Sequence, residues 1–185
     1  MTTTAESPAS TATALRNLYF VRFGFAIVWA VLLFLTGSAL GPVSITLLVL
    51  YPLFDVAAAV TDFRTTRGAR PTVGLYFNMA LSLLTAIGIV VAVTSGIPAV
   101  LRVWGGWAIT AGLVQLVVAI MRYRLGGQWP MILSGGISVF AGSGFIAMAG
   151  GPDAALTSLA GYATLGGIFF LVSALRLNSV AKKES

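Results

Sequence analysis

The chain has 185 residues, 58% of them hydrophobic and 9% charged, with a mean hydropathy of +0.97. Soluble domains carry about 25% charged residues, so the composition excludes an ordinary water-soluble globule. The net charge is +6 and both cysteine and histidine are absent, which removes disulfides, thiol chemistry and the two commonest transition-metal ligands.

Residues 1–15 open with MTTTAESPASTATA, small and polar with no apolar periodicity, and read as a disordered cytoplasmic tail. Six apolar runs follow, at 17–37, 43–62, 72–94, 98–121, 129–149 and 154–175. Crossing roughly 30 Å of hydrocarbon as a helix takes about 20 residues, and each run is long enough. None of them alternates apolar and polar residues as a membrane β-strand must. The predicted fold is an all-α integral membrane protein, with residues 16–178 as one six-helix transmembrane domain and 179–185 as a second cytoplasmic tail.

The first run carries Arg16 and Arg22 near its start and is followed by TGSA, which resembles a signal-peptide cleavage site. Cleavage there would leave five spans and spoil the repeat described below. The second run, LLVLYPLFDVAAAV, holds Pro52 and a carboxylate, Asp55, inside an otherwise apolar stretch. Between runs two and three lies the basic loop TDFRTTRGARP, and between four and five RYRLGGQ. The other connections, SALGP, TSGIP and AGGPD, are short and rich in the Gly and Pro that close tight turns. Of the 11 Lys and Arg residues, only Arg102 falls on the side of those short turns. The positive-inside rule therefore places both termini in the cytoplasm. Basic residues spread over helix ends make no nucleic-acid patch.

Runs four and six match without a gap at a shift of 54 residues, which overlays Pro98 on Pro152, Gly112 on Gly166 and Arg122 on Arg176. Run two fits the same frame at a shift of 60, which equates Pro52 with Gly112, Asp55 with Gln115 and Arg64 with Arg124. The pattern reads as three helical-hairpin repeats related by an axis along the membrane normal, in a compact bundle with approximate threefold arrangement. Pro52, Gly112 and Gly166 are the expected helix-bend positions. With its Gly-dotted second helices, basic helix ends and GP, IP or GGP turns, the chain resembles the HdeD-like family of six-span bacterial membrane proteins. The resemblance covers roughly residues 16 to 178. It implies a bacterial inner-membrane protein linked to stress and acid resistance, and it brings no catalytic residue.

Counting inward from the cytoplasmic ends, Arg22, Asp55, Asn78 and Gln115 all fall roughly 9 to 12 Å below the boundary at 1.5 Å per residue. An unpaired charge in hydrocarbon costs about 2.5–3.5 kcal/mol on insertion scales, so these four are the candidate buried polar layer, with Arg22 pairing Asp55. Pro52 has no N–H, which frees the Leu48 carbonyl beside the acid. The pair reads either as a structural lock between helices one and two or as a proton or cation site in a cytoplasm-facing vestibule. Asp62 with Arg64, and Asp153, read as interfacial residues or caps. Arg102 can reach outer headgroups, or Asp153 if spans four and six are neighbours. Trp104, Trp107 and Trp129 read as an aromatic belt. Ser134, Ser138 and Gly142, with Ala108 and Gly112, have the spacing of close helix packing, and the same faces could serve self-association.

No phosphate loop, Ser-His-Asp set or HExxH is present, and both lysines sit in the tail, so an enzyme is not expected. No metal or cofactor is expected either. The lipid bilayer is the expected partner, with a homo-oligomer left open and the substrate, if any, unknown. Two functions stand: a non-enzymatic structural or interaction role in envelope stress or acid tolerance, and a small proton-linked transporter or channel using Asp55.

Overall fold

The computed structural model describes residues 8–65, 72–121, 123–125 and 128–181. Six long helices account for nearly all of them: α1 (Pro8–Thr36), α2 (Pro42–Thr65), α3 (Thr72–Ala92), α4 (Ile97–Met121), α5 (Trp129–Met148) and α6 (Thr157–Ala181). No strand occurs among the described residues. An apolar chain can satisfy its backbone in lipid only within helices or a closed barrel, and uninterrupted apolar runs select the helix. Among the described residues six helices are long and apolar enough to cross a membrane, which makes the chain a multi-pass membrane protein.

The turns follow the local chemistry. Ser44 pins the first one: its hydroxyl accepts from the Gly41 N–H at 2.9 Å and donates to the Ala39 carbonyl at 2.8 Å. After α3 a single 3-10 turn, Val93–Ser95, leads to Gly96, whose φ of 88° lies in the left-handed region that glycine enters without a Cβ clash. Pro98 then occupies the first turn of α4, where its missing N–H costs nothing.

Several boundaries differ from those read in the sequence. Helix α1 begins at Pro8, so residues 8–15 are helical, and residues 1–7 lie outside the described residues. Helix α6 begins at Thr157 and runs to Ala181, past the expected end of the domain. Pro152 and Asp153 therefore precede α6 by a turn, whereas Pro98, their counterpart in the repeat frame, is inside α4. Arg67, Arg70, Arg122, Lys182 and Lys183 lie outside the described residues.

The helices close into a ring in chain order, and the seams alternate in extent. The contacts of α2 with α3, α4 with α5 and α6 with α1 are broad; those of α1 with α2 and α3 with α4 are narrower, and α5 with α6 is the narrowest. Trp29, Leu33, Leu48, Ile89, Leu101, Trp104, Leu156 and Leu159 fill the interior and are wholly buried. The aromatic-belt expectation is corrected here: Trp104 and Trp107 are core residues, 0% and 9% exposed, while Trp129 at the start of α5 is 68% exposed. Their positions eight and eleven residues into α4 carry both indoles past the interface and onto the face that packs inward.

Lipid offers no hydrophobic drive for helices to associate, so small residues that let backbones approach do much of the joining. The α4–α5 seam is the clearest case. A Cβ on Gly105 would lie 2.6 Å from the Gly142 carbonyl oxygen, and one on Gly112 would lie 2.6 Å from that of Gly135. Two glycine pairs, each spaced seven residues along its helix, thus bring the two backbones into direct contact. Ser138 is buried between them, as the small-residue spacing suggested, but Gly105 and Gly135 were not picked out. At the α1–α6 seam Gly167 faces Ala26, where an added Cβ would meet the Ala26 Cβ at 3.3 Å.

Candidate functional site

Asp55 is the centre of a buried ion pair with Arg22. Its Oδ1 accepts from Arg22 Nη2, and the two side chains are 12% and 16% exposed. Its Oδ2 accepts from Asn78 Nδ2 and from the Ser82 hydroxyl, both at 2.8 Å. An ionised carboxylate is an acceptor only, and three donors from two neighbouring helices meet its two oxygens. Ser82 and Asn78 are one helical turn apart on α3, so both reach the same face.

Arg22 is held on its other side by α6. Its guanidinium carbon lies 4.3 Å from the centroid of the Phe170 ring, and Phe170 in turn stacks on Tyr19 at 6.1 Å. The planar guanidinium suits both roles at once, a hydrogen bond at its edge and a ring on its face. A single node therefore ties α6 to α1, α1 to α2 and α2 to α3. Its placement shows Arg22 turned into the bundle rather than snorkelling to the headgroups.

Beside the node lies a nest of rings. Phe25 stacks on Phe54 at 3.7 Å, and Trp29, Tyr51, Trp104 and Trp107 contact one another at centroid distances of 4.6 to 6.1 Å. The Trp29 indole donates to the Leu47 carbonyl at 2.6 Å, next to the Leu48 carbonyl that Pro52 deprives of its helical donor. By contrast, Trp104 Nε1 and Trp107 Nε1 are buried with no hydrogen-bond partner. On the far side the Ser138 and Tyr162 hydroxyls bond at 2.9 Å.

Gln115 stands apart from the node. Its Oε1 is buried without a hydrogen-bond partner, and its Cβ would lie 3.2 Å from a Cβ on Gly135. The physical reason is the ring itself. Asp55 on α2 faces α3, and its equivalent on α4 faces α5, so equivalent positions address successive seams instead of one shared centre. Common depth did not mean common contact. At Gly112 the close approach of α5 is what the structure displays, and a Cβ on Gly166 would lie 4.0 Å from the Tyr51 hydroxyl. It is Gly167, the next residue, that packs against α1.

The remaining charged residues also find places. Arg102 reaches the C-terminal end of α5, donating to the Ala149 carbonyl at 3.4 Å, where a cation complements the helix dipole. Spans four and six are not the neighbours that an Arg102–Asp153 pair would need. Asp62 is buried at 8% exposure rather than solvated at the interface. Among the described residues no group of three or more His, Cys, Asp or Glu is placed to hold a metal ion.

Comparison with protein-family models, with curated proteins and with solved structures gives no match. The functional reading therefore rests on the residues themselves. Ser82 is a donor that the count of depth does not pick out, although its position four residues after Asn78 is a usable signal that it shares the face. Phe170 gave no signal, since nothing in the sequence aligns a ring on α6 with a cation on α1.

Proposed function

We propose that the protein is a non-enzymatic, multi-pass protein of the bacterial inner membrane with cytoplasmic termini, acting as a structural or interaction component in envelope stress or acid tolerance. The observation that carries the structural part is the complete coordination of Asp55 by Arg22, Asn78 and Ser82. A carboxylate so fully matched by donors from two helices serves as a lock between them, and a mobile ion or proton would have to displace those donors. The link to stress and acid comes from the HdeD-like resemblance, and the cytoplasmic placement of the termini from the Lys and Arg distribution. The three-hairpin reading is supported by the alternation of seams: all three contacts within hairpins are narrow and all three between them are broad.

A second reading, a small proton-linked transporter or channel, draws on one observation: the buried, unpartnered indole donors of Trp104 and Trp107 in the ring nest adjoining the node. Proton flux into proteoliposomes separates the two. The structural reading expects wild-type vesicles to match empty ones, and Asp55→Asn to lower stability in detergent. Flux above that of empty vesicles that Asp55→Asn abolishes, with folding intact, would overturn it.

A further inference from the structure

The narrowest seam of the ring, between α5 and α6, is an open cleft of about 850 Å³. Its α5 wall includes Leu133, Gly136 and Phe140 with Trp129 at one end; its α6 wall includes Phe169 and Val172, with Arg176 at the same end. The two helices run antiparallel, so α5 starts where α6 finishes, and Trp129 and Arg176 share the same end. Leu133 and Phe140 are 57% and 84% exposed, so the cleft faces outward along its length. A Cβ on Gly136 would meet nothing within 4 Å, which leaves the middle of the cleft open.

Its length is that of one leaflet. From Trp129 to Phe140 the rise of 1.5 Å per residue gives roughly 16 Å, about half of the ~30 Å of hydrocarbon. Its charge lies at one end only. Among the described residues Arg176 makes no ion pair, whereas Arg22 is engaged by Asp55 and Phe170 and Arg102 by Ala149. An apolar slot one leaflet deep, with an indole and a guanidinium at its mouth, has the pattern of a phospholipid: tail in hydrocarbon, aromatic ring at the interface, cation at the phosphate. The mouth is at the end that the basic residues assign to the cytoplasm, the leaflet whose negative surface potential reflects anionic lipid.

We propose that the α5–α6 cleft binds one anionic phospholipid, its acyl chain against Leu133, Gly136 and Phe140 and its phosphate on Arg176. The test is native mass spectrometry of the full chain released from nanodiscs that contain phosphatidylglycerol and phosphatidylcholine in equal amounts. Wild type is expected to retain one phosphatidylglycerol in preference to phosphatidylcholine. Arg176→Gln should reduce that preference about tenfold, the size expected for one charge-assisted contact. Gly136→Phe, which fills the slot from the lipid side, should reduce retention of both lipids while helical circular dichroism stays unchanged. If Gly136→Phe does not fold, the Arg176→Gln preference decides alone. Equal retention of the two lipids by wild type, or a preference that Arg176→Gln leaves intact, would overturn the proposal. So would displacement of the lipid by inorganic phosphate, or a dimer that Gly136→Phe dissolves, which would assign the cleft to a free anion or to a second copy.

Discussion

The α2–α3 seam and the α4–α5 seam join neighbouring helices of the same ring by opposite means. At α2–α3 the joint is polar: a buried carboxylate accepts from Asn78 and Ser82 across the seam while Arg22 closes it from α1. At α4–α5 the joint is apolar along its middle, where glycine pairs let one backbone rest on the other, with added Cβ atoms meeting carbonyl oxygens at 2.6 to 2.8 Å, and Arg102 touches only the C-terminal end of α5. The polar joint reaches across three seams from a single node. The glycine joint serves only its own seam, but does so along the whole length from Gly105 to Gly112. Their failure modes must differ accordingly: removing a partner breaks the first, and adding an atom breaks the second.

Removal of Arg22 should have the largest effect. Arg22→Met leaves the Asp55 charge buried with only two neutral donors, and an orphaned buried charge costs about 3–5 kcal/mol. The double variant Arg22→Met with Asp55→Leu should regain most of that loss, since an apolar pair of similar volume is often as stable as the ions it replaces. Reversible unfolding in mixed micelles of increasing SDS fraction reads both. A single variant that unfolds at the wild-type SDS fraction would mean that the ion pair is not what holds α6, α1, α2 and α3 together.

Addition should come next. Gly142→Leu must push the Gly105 backbone away, and overpacking of this kind costs about 1–3 kcal/mol. Gly144 lies on the same helix, two residues on, where a Cβ would meet nothing within 4 Å. Gly144→Leu is therefore the control, with an effect within about 0.5 kcal/mol. Equal losses for the two would show that helix propensity rather than the backbone contact sets the outcome.

Much of this contrast was readable before any coordinates. Six spans follow from apolar run length, and the ion pair follows from two opposite charges placed at one depth where neither can stay unpaired. Asn78 came with them by the same count of residues from the boundary. What depth alone leaves open is azimuth: it gives the level of a side chain but not which way round the helix it points. Gln115 has the count of Asp55 from the boundary and a different direction, and Trp104 and Trp107 are core residues because α4 turns their indoles toward the interior. Glycine pairs are hidden for a related reason. Gly105 and Gly135 matter only through the register of α4 against α5, and register is a property of two helices that neither sequence segment carries by itself.

A smaller effect tests how the polar joint shares its work. Ser82→Ala removes one of two neutral donors to Asp55 Oδ2 and leaves Asn78 in place. Hydrogen bonds between helices in lipid average about 0.6 kcal/mol and reach ~1.7 at most, so the loss should fall in that range. Asn78→Ala with Ser82→Ala should lose more than the sum, because the oxygen is then left with no partner at all. A strictly additive cycle would show that Arg22 alone satisfies the carboxylate.

The smallest effect should carry the opposite sign, and it compares the two seams at equivalent positions. Gln115 stands where Asp55 stands in the repeat frame, yet its Oε1 is buried with no partner. A buried acceptor without a donor is a standing cost, and replacing it with an apolar group of similar shape removes that cost. Gln115→Leu should therefore be neutral or stabilise by up to about 1 kcal/mol, while Asp55→Leu alone destabilises by stranding Arg22. The same SDS titration measures both. A clear loss of stability in Gln115→Leu would mean that the Gln115 amide holds a contact at the α4–α5 seam after all, and the division into one polar and one apolar joint would no longer stand.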